Sequence, residues 1–244
     1  MYWRQLPYSE IEAYDSQTTV LILPVGAIEA HGPHLPTGTD GVISEAMAEA
    51  AVPQLKAHGL QGLILPTLDF TVAEFARDFV GTLSFSPATV KAMLADLGQN
   101  LRRQGWRHLA VANSHLDPGH LACLRQALAD FPLTVAFPDI TRGRLARQLS
   151  AEFQSGACHA GQFEGSIVLA RRPEWTRPQV AASLPDNPRS LVEAIGQGKS
   201  SFGEAGGSRA YFGSPRQASA HEGEASLEVL GRLLVESILE SLAP

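Results

Sequence analysis

Three stretches of the chain gather side chains able to bind metal ions and move protons. Residues 26–40, GAIEAHGPHLPTGTD, place Glu29 and His31 one residue apart in a Gly/Pro-rich loop and end on Asp40. In an extended backbone, residues i and i+2 leave the same face, so Glu29 and His31 could serve neighbouring ions. Residues 113–120, NSHLDPGH, repeat that spacing with His115 and Asp117. Residues 158–166, CHAGQFEGS, add His159 and Glu164. Carboxylates and imidazoles without thiolates suit zinc, manganese or iron, and one carboxylate can bridge two ions roughly 3.5–4 Å apart. Such a pair lowers the pKa of a shared water and polarises a carbonyl, which is the chemistry of metal-assisted hydrolysis. Asp40 has a competing reading as a helix N-cap, a position that favours aspartate. His34 and His120 flank the candidate ligands and could serve as their supporting partners. His58, His108 and His221 read as solvated or capping groups at element ends.

These loops need rigid elements behind them. Short apolar runs, TVLILPVG from Thr19, GLILPTL from Gly62, HLAVANS from His108 and LTVAFPD from Leu133, read as buried strands. Helices are expected between them, over Asp40–His58, Pro118–Asp130 and Arg142–Phe153. Another begins at Ser86-Pro87, with Ser as N-cap and Pro at N1 and a core face of Val90, Leu94, Leu97 and Leu101. Leu227, Leu230, Leu234 and Ile238 mark a packed helix over Glu224–Leu242. This alternation predicts βαβ units around a mainly parallel sheet. Two of the polar loops directly follow strands, where open α/β sheets bind ligands, and they meet if those strands are neighbours. Residues 173–223 weaken into Pro, Gly, Ser and Arg and read as a long irregular insert: a wall or lid of the site, a subunit contact, or a tolerated surface loop.

With 244 residues, one domain over 1–244 is expected, large enough to fold without disulfides or a structural metal. Nineteen basic against 25 acidic residues give a net charge of −6, which argues against nucleic-acid or anionic-membrane partners. Two cysteines make no disulfide framework, the opening MYWRQLPYSEIEAY is unlike a basic-then-apolar leader, and no run of ~18 apolar residues occurs, so the cytoplasm is the expected compartment. Neither a Walker loop, a Rossmann glycine fingerprint nor a Gly-x-Ser-x-Gly elbow is present.

The segment LPVGAIEAHGPHLPTGTD, from Leu23 to Asp40, closely resembles the opening motif of the creatininase (creatinine amidohydrolase) family. FVGTLSFSP from Phe79, NSHLDPGH from Asn113, HAGQFEGS from His159 and YFGSPRQASAHEG from Tyr211 are similar to later family segments in the same order. The resemblance implies a three-layer α/β/α sandwich and a metal-dependent amidohydrolase, commonly hexameric, that opens cyclic or linear C–N amide bonds of a small-molecule substrate. It implies two divalent ions per chain (Zn, Mn or Fe). Glu29, Asp40 and His115 would hold one, and His31 with the shared Asp40 the other. The remaining carboxylate is Asp117 or Glu164. His159 would give a proton to the leaving nitrogen or contact the substrate, making it, with Glu164, a catalytic candidate.

Departures from the family pattern bear on the substrate. The family's Asn-Gly-His-Gly-Gly-Asn becomes Asn113-Ser114-His115-Leu116-Asp117-Pro118, and no tryptophan lies between Asp117 and His159. A substrate other than creatinine is therefore expected. Alternatives on the same scaffold are a deformylase of a ring-opened purine or pyrimidine intermediate, a small-peptide peptidase, or a non-catalytic metal-binding relative. Arg77, Arg209 and Arg216 could bind an anionic group of such a substrate.

Overall fold

The four apolar runs form strands β1 (Thr19–Val25), β2 (Gln61–Ile64), β3 (His108–Asn113) and β4 (Thr134–Ala136) in a computed structural model that describes residues 1–243. All pair in parallel, in the order β2-β1-β3-β4. Every residue of β1 is buried, as a central strand covered on both faces requires. Its side chains alternate between two cores. Val20 and Ile22 join one cluster; Leu21, Leu23 and Val25 join the other.

Besides the short α1 (Tyr8–Ile11), helices cover both faces. On one side lie α2 (Thr39–Ala57), α7 (Gln162–Arg171) and α10 (Ala220–Leu242), which bury Ile43, Met47, Ile167, Leu230 and Leu234 against the sheet. On the other, α3 (Pro87–Arg103) and α4 (Pro118–Ala129) bury Val90, Leu94, Leu101 and Leu124. The result is the three-layer α/β/α sandwich expected. Ser86 caps α3 by accepting a hydrogen bond from the Thr89 amide at 3.2 Å, with Pro87 at N1. Fully burying each leucine on the inner stripe of α10 contributes about 1.5–3 kcal/mol relative to an extended chain. No described helix is long and apolar enough to cross a membrane.

Three expectations are corrected. The helix predicted over Arg142–Phe153 is two, α5 (Gly143–Ala146) and α6 (Ala151–Ser155), because Ser150 restarts the chain as an N-cap, its Oγ accepting from the Phe153 amide. The C-terminal helix begins four residues earlier than expected, capped by Ser219, whose Oγ accepts from the Glu222 amide. Residues 173–223 are not structureless. They hold α8 (Pro178–Ser183), α9 (Leu191–Gly196), two 3-10 turns and the buried Phe202, Tyr211 and Phe212. Glu152 on α6 ties this segment down, accepting hydrogen bonds from the Ser214 and Phe163 amides, each at 2.7 Å.

Candidate metal centre

The strand register sets the site. Val25 at the end of β1 lies opposite Asn113 at the end of β3, so the loops carrying Glu29, His31 and His115 leave the sheet side by side. Gly26 follows β1 where a Cβ would overlap the Gly41 amide, so the start of α2 packs directly on the end of the strand. Two serines complete that joint. Ser44 Oγ donates to Val25 O at 2.6 Å, and Ser114 Oγ donates to Asp40 O at 2.7 Å. The third loop carries local strain: Ala160 has φ of 49°, in the left-handed region that non-glycine residues avoid. Its amide donates to Glu164 Oε2 at 2.6 Å, which turns that carboxylate back toward the other loops.

Five of the six expected ligands meet, together with His159, and all six of these residues are buried. Asp40 stands at the centre, with Oδ2 3.0 Å from His115 Nδ1 and Oδ1 3.3 Å from His31 Nε2. Glu29 Oε1 lies 3.5 Å from His115 Nδ1, 3.9 Å from His31 Nε2 and 3.8 Å from His159 Nδ1. Glu164 Oε2 lies 3.6 Å from His31 Nε2. The donors fall into overlapping trios: Glu29-Asp40-His115, His31-Asp40-Glu164 and Glu29-His31-His159.

The donor chemistry fits a divalent cation. Each imidazole spends one ring nitrogen on a backbone carbonyl: His31 Nδ1 on Glu29 O at 3.1 Å, His115 Nε2 on Val72 O at 2.8 Å, and His159 Nε2 on Ala30 O at 2.9 Å. A carbonyl only accepts, so that nitrogen carries a hydrogen and the other faces the carboxylates, where a cation would take its lone pair in place of a proton, the arrangement typical of metal-ligating histidine. Glu29 Oε2, His31 Nε2 and Asp40 Oδ2 are buried with no hydrogen-bond partner, which is costly for polar atoms unless something else engages them.

The electrostatics point the same way. Burial opposes a charge on His31, yet Asp40, Glu164 and Glu29 overcome it and push its pKa up to about 10. Burial likewise opposes a charge on His115, and Glu29 and Asp40 raise it well above the ordinary value. Asp40 is held well below the carboxylate range by His31 and His115 in spite of burial. Burial, reinforced by Asp40 against the pull of His31, pushes Glu164 up to about 8. His159 differs from the other two histidines. Burial and the neighbouring His31 hold it well below the usual value, so it is neutral.

Asp117 is the sequence-expected ligand that the fold does not bring in. Its carboxylate caps α4, with Oδ1 accepting from the Gly119 and His120 amides at 2.7 and 3.0 Å, while Oδ2 accepts from the Phe75 amide at 2.8 Å. Pro118 at N1 is the signal that could have revealed this cap. Asp40 shows the reverse. It lies in the first turn of α2 behind Gly38 and does not cap it, so its carboxylate is free for the cluster. His120 lies beside the site, its Nε2 2.8 Å from Asn113 Oδ1 and its ring centroid 4.6 Å from that of His115. His34 packs edge-on to Tyr211, and neither of its ring nitrogens has a partner.

Sequence reasoning missed the Val72 carbonyl and the aromatic side chains that wall the site. Phe202 stacks on His159 with centroids 4.1 Å apart, and Phe75 meets Phe202 edge-on at 5.3 Å. A cavity of about 480 Å³ opens from the cluster between these rings, α9 and the start of α4. Arg77, Arg209 and Arg216 do not line it.

Comparison with known proteins bears on the family and the fold. The sequence profile of the Creatininase family, described as creatinine amidohydrolase, matches residues 4–238. A mycofactocin precursor peptide peptidase of Mycolicibacterium smegmatis is 27% identical over 86% of this chain and 80% of its own length. A creatinine amidohydrolase of Pseudomonas putida is 29% identical over 70% of this chain and 71% of its own. The solved structure described as creatininase Mn superposes over 100% of this chain and 99% of its own, with a TM-score of 0.71 at 24% identity, a likeness of fold. With the profile spanning nearly the whole sequence and the fold matching throughout, the chain belongs to the creatininase family of hydrolases.

Proposed function

We propose that this protein is a divalent-metal amidohydrolase that cleaves the C–N bond of a small cyclic or linear amide. The observation carrying this reading is the orientation of three buried imidazoles, each fixed by a backbone carbonyl and each turning its free nitrogen toward buried carboxylates. Glu29, Asp40 and His115 would hold one ion, and His31, Asp40 and Glu164 the other, with Asp40 shared. Ions held there would supply Lewis acidity toward a water and the amide carbonyl.

The remaining chemistry belongs to His159. Its Nε2–H is committed to Ala30 O, so Nδ1 is the atom that faces the reacting groups. Neutral at the outset, it takes a proton from the attacking water at Nδ1 and returns it to the departing nitrogen, the two halves of general base and general acid catalysis. Phe202 stacked on the ring holds its plane and keeps water from its face. Glu164, fixed by the Ala160 amide, stands beside His31 and Asp40.

A second reading, trimming of a small peptide, has specific support in the similarity to proteins named mycofactocin precursor peptide peptidase. It needs the same residues in the same roles, because a peptide bond is also an amide.

Elemental analysis of purified protein reloaded with zinc, manganese or iron, beside hydrolysis of creatinine, hydantoins, formamides and short peptides, tests the proposal. About two ions per chain and turnover of one class are expected. His159→Ala should keep the metal while turnover falls roughly 10²–10⁴-fold. No metal after reloading overturns the proposal.

A further inference from the structure

The cavity beyond the cluster has a chemical character that narrows the substrate, an inference that rests on the hydrolase reading above. At about 480 Å³ it lies within the roughly 300–1,000 Å³ range of small-molecule sites. The polar side chains along its walls are largely engaged already. Asp117 accepts three backbone amides, Ser114 is bonded to Asp40 O, and Arg125 and Thr141 are both held by Asp139. Arg125 is thus paired with Asp139, a carboxylate that Arg142 Nε also approaches at 3.6 Å.

Away from the cluster, most of the surface left to a ligand is hydrocarbon. Phe75 and Phe202 form the inner wall beside His159, and Leu191, Val192 and Ile195 of α9 form the outer one. Val192 is 69% exposed and Ile195 36%, unusual for large aliphatic side chains at the mouth of an otherwise charged site. Burying such surface is what an apolar ligand group would achieve.

We propose that the substrate carries an aromatic or branched aliphatic substituent next to its scissile amide, seated between Phe202 and α9, with Val192 and Ile195 setting this preference. Small polar rings leave the cavity largely unfilled. For a substrate with a phosphate or a second carboxylate the wall holds Arg125 alone, already paired with Asp139.

Hydroxamates, which chelate metal ions, separate this inference from the one beneath it. Titration calorimetry on metal-loaded protein would compare acetohydroxamate, 3-phenylpropanohydroxamate and the monohydroxamate of succinate. The phenyl compound should bind at least about tenfold tighter than acetohydroxamate, about 1.4 kcal/mol, and the succinate compound no tighter. Val192→Asp and Ile195→Asp replace exposed side chains, so the fold tolerates them, and each should remove most of the phenyl advantage. Equal binding of the phenyl and acetyl compounds, a preference for the succinate compound, or an advantage that survives both substitutions overturns the apolar-substituent inference while leaving the metal centre intact. Failure of acetohydroxamate itself to bind overturns the metal centre, and this inference with it.

Discussion

The starts of α2 and α4 present the same ingredients to different ends. Each follows a loop from a neighbouring strand of the sheet, and each carries a buried aspartate near the helix N-terminus, Asp40 in one and Asp117 in the other. Asp117 occupies the N-cap, so its own helix takes one oxygen and the Phe75 amide takes the other. Asp40 lies inside the first turn behind an N-cap glycine, and its helix takes neither oxygen. A shift of two residues relative to the cap thus separates a carboxylate that builds structure from one left for chemistry. The N-terminal end of the α2 dipole still favours the negative charge of Asp40 without consuming its lone pairs.

That contrast predicts opposite mutational signatures. Asp40→Ala removes a donor from both central trios, so bound metal should disappear and hydrolysis should fall by more than the roughly 10–100-fold typical of losing an outer partner of a metal ligand. Metal analysis and a circular dichroism check of folding measure this, and stoichiometric metal in a folded variant would end the distinction. Asp117→Ala should do the reverse. Loss of the cap should destabilise the protein by about 0.5–2 kcal/mol in urea denaturation, with metal stoichiometry unchanged. Loss of metal on the scale of Asp40→Ala would make the two aspartates equivalent after all.

The sequence made the frame of this molecule readable because burial and periodicity agree there. The apolar run of β1 after Thr19, the Ser86-Pro87 start of α3 and the leucine stripe of α10 each have one reading, and the fold adopts it. Residue type and spacing also singled out Glu29, His31, Asp40 and His115, since two strands in register deliver them together. They did not separate Asp117 from Glu164, which the motifs left equally eligible. That choice depends on tertiary contacts: the Phe75 amide that claims one carboxylate, and the Ala160 backbone at positive φ that turns the other inward. The wall of the cavity was less legible still. Phe202 and α9 sit in a segment rich in Gly, Pro and Ser, where order comes from Glu152 and a distant aromatic cluster and leaves no local pattern.

A third aspartate extends the comparison to β4 and should give the smallest effect. Asp139 follows that strand as Asp117 follows β3, and it too is fully engaged: Oδ1 accepts from the Thr141 amide and hydroxyl, Oδ2 from Arg125, with Arg142 Nε 3.6 Å from the same oxygen. Burial opposes its ionisation, but the bonds from Thr141 and Arg125 and the charge of Arg125 outweigh it and hold the pKa below the ordinary carboxylate value. The folded-state pKa is therefore the lower one, so the stabilisation is complete above the unfolded pKa and is lost as pH falls through the folded value. Asp139→Asn should flatten the acid limb of a stability-versus-pH curve and cost little else. Because the Arg125 side chain is 44% exposed, its contribution should stay below about 1 kcal/mol. An unaltered acid limb would show that the Asp139 pKa is the same in the folded and unfolded chain, leaving the enclosed carboxylates around Asp40 as the place where charge governs this fold.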